Sequence, residues 1–397
     1  MKSLRHLYKI GNGPSSSHTM GPEYASQYFL SVVPNADSYK VILYGSLALT
    51  GKGHLTDVAI REVFEGHEIE VEFNTVETDI PHENTMDLIA YRDGQIICQK
   101  RVLSVGGGDI VVEGEKSIEA PDIYEEDCFQ KIEDYCLSKN IRLSDYVYEK
   151  EDPEIRSYLA EVWDVMKSEI QAGLTTNGVL PGGLGVQRVA QLLYSRRHID
   201  ESPETRQNRI VCAYAFAAAE QNASCGKIVT APTCGACAVL PAVLKYMQET
   251  KGFSNEKIID ALAVGGLVGN IVKRNASISG AECGCQAEIG TACAMAAAAL
   301  CELFEMGIDQ IEYAAEMSLE HMLGLTCDPI CGLVQIPCIE RNAVAAMRAL
   351  NALSLANFLT GTRKISFDMV VQTMYETGKD LNARYRETSE GGLAKHF

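Results

Sequence analysis

Fourteen cysteines, a triple serine and two glycine-bracketed histidines are the residues of this 397-residue chain best suited to chemistry. The serines lie in GNGPSSSHTMGP at 11–22, where Ser15, Ser16, Ser17, His18 and Thr19 crowd hydrogen-bonding groups between Gly/Pro brackets. If a helix starts there, its free N–H groups and the hydroxyls form a site for a carboxylate or phosphate. An ordinary N-cap in a Ser-rich loop is the alternative. The second motif, GSLALTGKGHLTD at 45–57, sets Lys52, Gly53 and His54 where the backbone can approach a ligand closely. It is not a phosphate-binding P-loop, because Gly53 follows Lys52 where Ser or Thr is required. An imidazole titrating near pH 6.5 makes His54 a candidate general base; a solvated loop histidine fits the same residues. PHENTM at 81–86 adds His82, Asn84 and Thr85, a polar cluster that by itself reads as a turn.

The cysteines gather in the second half. GAECGCQAE at 280–288 carries Cys283 and Cys285, and LTCDPICGLVQIPC at 325–338 carries Cys327, Cys331 and Cys338. Gly- and Pro-interrupted backbone bearing thiolates suits an iron–sulfur cluster, whose sulfurs accept hydrogen bonds from free N–H groups. Zinc is the competing metal, usually held by paired CxxC units, and only Cys234 and Cys237 have that spacing. Those two fit a redox dithiol or, more simply, a small-residue helix start. Most of the fourteen thiols are expected to be core residues.

The elements that must position these groups separate into two kinds. Up to about residue 120 the pattern is mixed α/β. A helix is expected over 25–33, and strands over 39–44, 67–73 and 95–103. SVGGG at 104–108 reads as a strand end. From residue 122 the chain turns acidic and helical, and further helices are expected at 209–223, 237–250, 255–272, 290–306, 308–322, 340–357 and 366–378. β-Branched alternation is nearly absent there. The expected fold class is α+β: an N-terminal mixed α/β domain over 1–122, then a larger all-α domain over 123–397 that carries the cysteines. Aromatic residues are only 7% of the chain, so helix packing should rest on closely approaching Ala and Gly.

A net charge of −18 opposes sequence-independent nucleic-acid binding and docking on anionic membranes. The N-terminal residues lack the apolar run of a signal peptide, and the apolar stretches, such as 291–301, are short for a bilayer. The expected location is the cytoplasm, where disulfides are rare.

Taken together, the motifs resemble one family, the iron–sulfur L-serine dehydratases in their single-chain form. GPSSSHTMGP at 13–22, YGSLALTGKGHLTD at 44–57 and SVGGG at 104–108 are similar to the family's β portion. TNGVLPGGLGVQR at 176–188, VTAPTCGACAVLPAVL at 229–244, NASISGAECGCQAEIG at 275–290 and GLTCDPICGLVQIPCIERNA at 324–343 are similar to its α portion. The resemblance implies a [4Fe–4S] cluster on Cys285, Cys327 and Cys338 with one iron left for substrate, and no pyridoxal phosphate. It implies that the loops of His18 and His54 face the cluster. Ser15, Ser16, Ser17, Thr19, Lys52, Gly53, His82, Asn84 and Thr85 are then the candidates for binding L-serine, with His54 as base and His18 assisting. A homodimer is a further expectation from the resemblance. The chain departs from the family in ending GGLAKHF, without the cysteine that caps the fourth iron in some members, and in carrying Cys234 and Cys331 as extra thiols. L-Cysteine desulfidation, a serine-sensing module and a structural zinc protein remain the rival readings.

Overall fold

The computed structural model describes the whole chain apart from residues 78, 116–119, 197, 198, 360 and 362. Among the described residues the strands are β1 (Ile10–Asn12), β2 (Ser38–Tyr44), β3 (Glu68–Asn74), β4 (Thr85–Arg92), β5 (Gln95–Gly106), β6 (Asp109–Val112) and β7 (Lys227–Val229). Five of them form one mixed sheet in the order β3-β2-β4-β5-β6, with β2 and β3 parallel and the other neighbours antiparallel. The helices Gly21–Val32 and Thr56–Val63 join this sheet in a small core around Phe29, Tyr39, Val41, Leu43, Ile60, Phe64, Met86 and Leu88. Pleating sends alternate side chains of a strand to opposite faces. Both faces of β4 are buried, Asp87 included; its carboxylate accepts two hydrogen bonds from Arg101 across the ladder, at 2.7 and 2.8 Å, and one from Tyr44 at 3.0 Å.

The larger part is helical. Its long helices are Ile155–Thr175, Pro203–Asn222, Val239–Lys251, Asn255–Asn275, Thr291–Leu303, Ile308–Glu320, Cys338–Phe358 and Phe367–Asp380. Every residue of Thr291–Leu303 is buried, which its run of small residues permits because they let neighbouring helices approach closely. Across from it, Gly265 and Gly269 lie so close that an added Cβ would meet the Met295 carbonyl at 3.0 Å and the Met295 sulfur at 2.7 Å. The fold is therefore α+β, with close helix packing in place of aromatic filling. The expectation of an all-α second part holds apart from β7, which pairs antiparallel with β1 from the far end of the chain.

That ribbon belongs to a larger feature that pattern reading did not anticipate. The first twelve residues stand apart from the mixed sheet and thread the helical part. Leu4, Leu7 and Tyr8 are fully buried in its core, the Tyr8 hydroxyl donates to the Leu262 carbonyl at 2.9 Å, and the Met1 ammonium donates to the Tyr124 carbonyl at 2.8 Å. The serine loop that follows is thereby held against the cysteine-bearing segments.

Candidate active site

Ser15 stands at the start of a wide helical turn, Ser16–Met20, that runs directly into the helix Gly21–Val32. Its hydroxyl caps that turn by accepting from the His18 N–H at 3.1 Å, so the loop presents a helix N-terminus. From the sheet, the Ser104 hydroxyl donates to the Ser17 carbonyl at 2.7 Å, which fastens the loop from behind. The SVGGG strand end thus has a positional role: β5 turns through Gly107 and Gly108, both at positive φ, and Gly107 reaches the same cavity as the serines.

The cavity lies between this loop and the helical part. Ser15, Ser16 and Ser17 line one side; Cys285, Cys327 and Cys338 line the other, together with Glu288 and Glu387. The three thiols come from three different local structures. Cys285 precedes the turn Gln286–Gly290 that leads into Thr291–Leu303, Cys327 lies in extended chain, and Cys338 opens the helix Cys338–Phe358. The Cys285 and Cys327 thiols lie within hydrogen-bonding reach of each other, a contact that, with burial, holds the Cys327 thiol far above the usual cysteine range. Burial, then the neighbouring Cys285, does the same to Cys338. The Arg341 guanidinium lies beside Cys285 and Cys338, anchored on the Thr326 carbonyl at 2.7 Å and the Asp328 carboxylate at 3.1 Å.

The histidines sit one layer behind the serines. His18 has both ring nitrogens engaged by hydroxyls, Nδ1 with Ser17 at 2.8 Å and Nε2 with Ser46 at 2.9 Å. The rings of His18 and His54 are 4.6 Å apart. The His54 Nδ1 lies 3.1 Å from the Thr50 carbonyl, which can only accept, so the proton must be on Nδ1 and the lone pair on Nε2. That Nε2 is buried without a hydrogen-bond partner among the described residues. Burial pushes the His54 pKa down to about 4 and, with His54 close by, holds His18 well below the ordinary value. Both rings are therefore neutral near pH 7. The glycine-rich stretch expected as a loop is partly helical, Gly45–Thr50, and this turn is what brings Ser46 and Thr50 onto the two rings.

The remaining sequence candidates are arranged differently. Thr19 is fully buried and donates to the His54 carbonyl at 2.8 Å, tying the two motifs together. Gly53 packs against Leu333 of the cysteine segment. Lys52 is exposed, its ammonium 5.4 Å from the Phe73 ring centre, away from the cavity wall. His82 lines a separate hollow with Gly45, Leu49 and Glu83, and its carbonyl accepts from the Thr85 hydroxyl at 2.6 Å. Asn84 lies beside Ser104, in the layer that supports the serine loop. Cys331 is exposed, whereas Cys234 and Cys237 are buried.

Sequence reasoning passed over Glu288 and Glu387. Glu288 follows Cys285 by three residues, a spacing that puts both on one helical face, and this could have marked it. Its Oε1 accepts from the Thr233 hydroxyl at 2.7 Å, and its Oε2 lies 3.9 Å from the Cys327 sulfur. Nothing local marks Glu387. It arrives through a parallel bridge in which the Cys327 N–H donates to the Tyr385 carbonyl and the Glu387 N–H to the Cys327 carbonyl, both at 2.8 Å. Burial raises both carboxyl groups, and Glu288 nearby adds to the effect on Glu387, which reaches about 8.

The donor set fits an iron–sulfur cluster. Three thiols ring one cavity, a guanidinium stands ready to offset thiolate charge, and Gly280 leaves space that a Cβ would fill, 3.1 Å from the Cys327 sulfur. Among the described residues no three His, Cys, Asp or Glu side chains converge as the ligands of a single ion would, so a one-zinc site is not found there.

Residues 3–80 match the family Serine dehydratase beta chain and residues 83–394 match Serine dehydratase alpha chain. The chain belongs to the serine dehydratase family. It is similar to L-serine dehydratase 1 of Escherichia coli, with 40% identity over 99% of each chain. L-serine dehydratase of Haemophilus influenzae is 37% identical, again over 99% of each, and that of Streptomyces coelicolor is 39% identical over 99% of this chain and 98% of its own. The chain is thus an enzyme of the lyase class, with both portions of a serine dehydratase fused in one polypeptide. Among its described residues no helix is long and apolar enough to cross a membrane.

Proposed function

We propose that this serine dehydratase converts L-serine to pyruvate and ammonia in the cytoplasm, using a [4Fe–4S] cluster on Cys285, Cys327 and Cys338 and no pyridoxal phosphate. The observation that carries the reading is the meeting of those three thiols with the serine loop on one cavity. When bound, such a cluster supplies Lewis acidity that stabilises the departing hydroxyl, otherwise a poor leaving group. Carboxylate recognition falls to the hydroxyls of Ser15, Ser16 and Ser17 and the helix N-terminus they cap. Nε2 of His54, the buried lone pair that the Thr50 contact leaves available behind the serine layer, is proposed as the acceptor of the Cα proton. Loss of that proton and of the β-hydroxyl gives aminoacrylate. Tautomerisation gives an imine, and addition of water expels ammonia and leaves pyruvate.

A second proton route is favoured by one contact. Neither ring lines the cavity wall, but Ser17 does, and its hydroxyl reaches His18 Nδ1 at 2.8 Å. His18 is therefore assigned to proton transfer through Ser17. A homodimer of the 43.3-kDa chain is part of the same proposal.

The test is air-free purification with iron and sulfide analysis, followed by pyruvate formation from L-serine and from L-cysteine. The cluster-bearing protein is expected to form pyruvate from L-serine faster than from L-cysteine. C327A is expected to lose both the brown absorption and turnover. H54N should keep iron and sulfide and lose about 10²- to 10⁴-fold in kcat, the range for removing a general base. Deuterium exchange at Cα separates the routes: H54N abolishes it if His54 takes the proton, and H18N alone does so if the Ser17 route dominates.

A further inference from the structure

We propose that Glu288 and Glu387 form the subsite that holds the α-ammonium of the substrate. This deepens the amino-acid lyase reading and rests on it. Both carboxylates face the cavity that holds the three thiols and the serine loop. They reach it from unconnected elements: Glu288 from the turn Gln286–Gly290, Glu387 from the segment bridged to Cys327.

Each is held in place and still leaves hydrogen-bonding capacity toward the cavity. Glu288 accepts one bond from Thr233 on Oε1, and Glu387 accepts one from the Ala281 N–H, out of about four lone-pair sites on each carboxylate. Gly280 and Gly235 keep the space around Glu288 open, since a Cβ on either would come within 2.5 and 3.3 Å of its carboxylate oxygens. The nearby cation, Arg341, is already engaged by Asp328 and the Thr326 carbonyl.

A small cation between two carboxyl groups turned into one cavity favours their ionised form and donates to both. An ammonium has three donors and suits this arrangement. The polarity of the cavity also matches a zwitterion. The capped helix N-terminus with its serines suits a carboxylate, and the acidic pair on the helical part's side suits the amino group. Glu288 and Glu387 would then select amino acids against hydroxy acids and simple carboxylic acids.

The experiment is calorimetric titration of the air-free, cluster-loaded enzyme with L-alanine and with propionate. L-Alanine keeps ammonium and carboxylate but has no group to eliminate; propionate lacks the ammonium. The native enzyme is expected to bind L-alanine about tenfold or more tightly than propionate, as charge-assisted hydrogen bonds to an ammonium imply. E288Q and E387Q, with iron and sulfide content unchanged, should each bring that ratio to about threefold or less and raise KM for L-serine more than they lower kcat. The inference is overturned if the native enzyme shows no preference for L-alanine, or if both variants keep its ratio. It is also overturned if E387Q changes the iron spectrum before any amino acid is added, because Glu387 would then be a ligand of the metal. Failure of the lyase reading is a separate result: the native, cluster-loaded enzyme would form no pyruvate at all.

Discussion

His54 carries the clearest physical signature of any single residue. A histidine forced to stay neutral in the folded state makes stability depend on pH, and the sign follows from its depressed pKa. The unfolded chain takes up a proton near pH 6.5, while the folded ring resists until about 4. Below pH 6.5 the unfolded state therefore binds more protons, and stability falls as pH drops through the window from 6.5 to about 4. The loss attributable to His54 is about 3 kcal/mol when complete. H54Q should flatten that portion of the stability curve, measured by urea unfolding at stepped pH. The residue's candidacy was readable from a glycine-bracketed imidazole. Its tautomer was not, because that depends on a carbonyl supplied by a helical turn the glycine pattern disguised.

At the scale of elements, the N-terminal dozen residues act as a strap. They carry the serine loop from the sheet to the thiols, and their anchors are apolar. An added Cβ at Gly266 would come within 2.7 Å of the Tyr8 ring, which shows how tightly the strap is seated on the helix Asn255–Asn275. Y8A removes a fully buried ring and its hydrogen bond to Leu262. The expected cost is about 3–5 kcal/mol, read as a lower urea midpoint, as for other buried aromatic-to-alanine changes. Because the strap also places Ser15, Ser16 and Ser17, Y8A should raise KM for L-serine at temperatures where the chain remains folded. The long helices, from Pro203–Asn222 to Phe367–Asp380, were legible from their helix-forming composition and the lack of β-branched alternation. The strap was not, since twelve residues with little periodicity reveal a partner only when that partner is in place.

For the whole molecule, the site exists only because distant parts of the chain meet. Serines near residue 16, thiols at 285, 327 and 338, and a carboxylate at 387 share one cavity. In the proposed cluster, three protein ligands would leave one corner accessible to solvent and therefore to oxidants. Air exposure is expected to bleach the visible absorption and abolish turnover together, and anaerobic iron and sulfide should restore both. The thiols lose their protons on binding metal, so reconstitution should release protons and proceed faster at higher pH, measurable in weakly buffered solution.

Sequence alone determined most of the ingredients: the long helices, three strands of the mixed sheet, and the motifs that carry serine, histidine and cysteine. Those properties are local, set by side-chain periodicity and by the backbone freedom of particular residues. Tertiary structure decided which ingredients meet. It set Lys52 and His82 away from the cavity wall, placed Asn84 in support, and brought in Glu288 and Glu387. Such proximity depends on how apolar faces pack and how far the chain returns, as in the bridge that joins Cys327 to Arg386. No short stretch of residues encodes that distance.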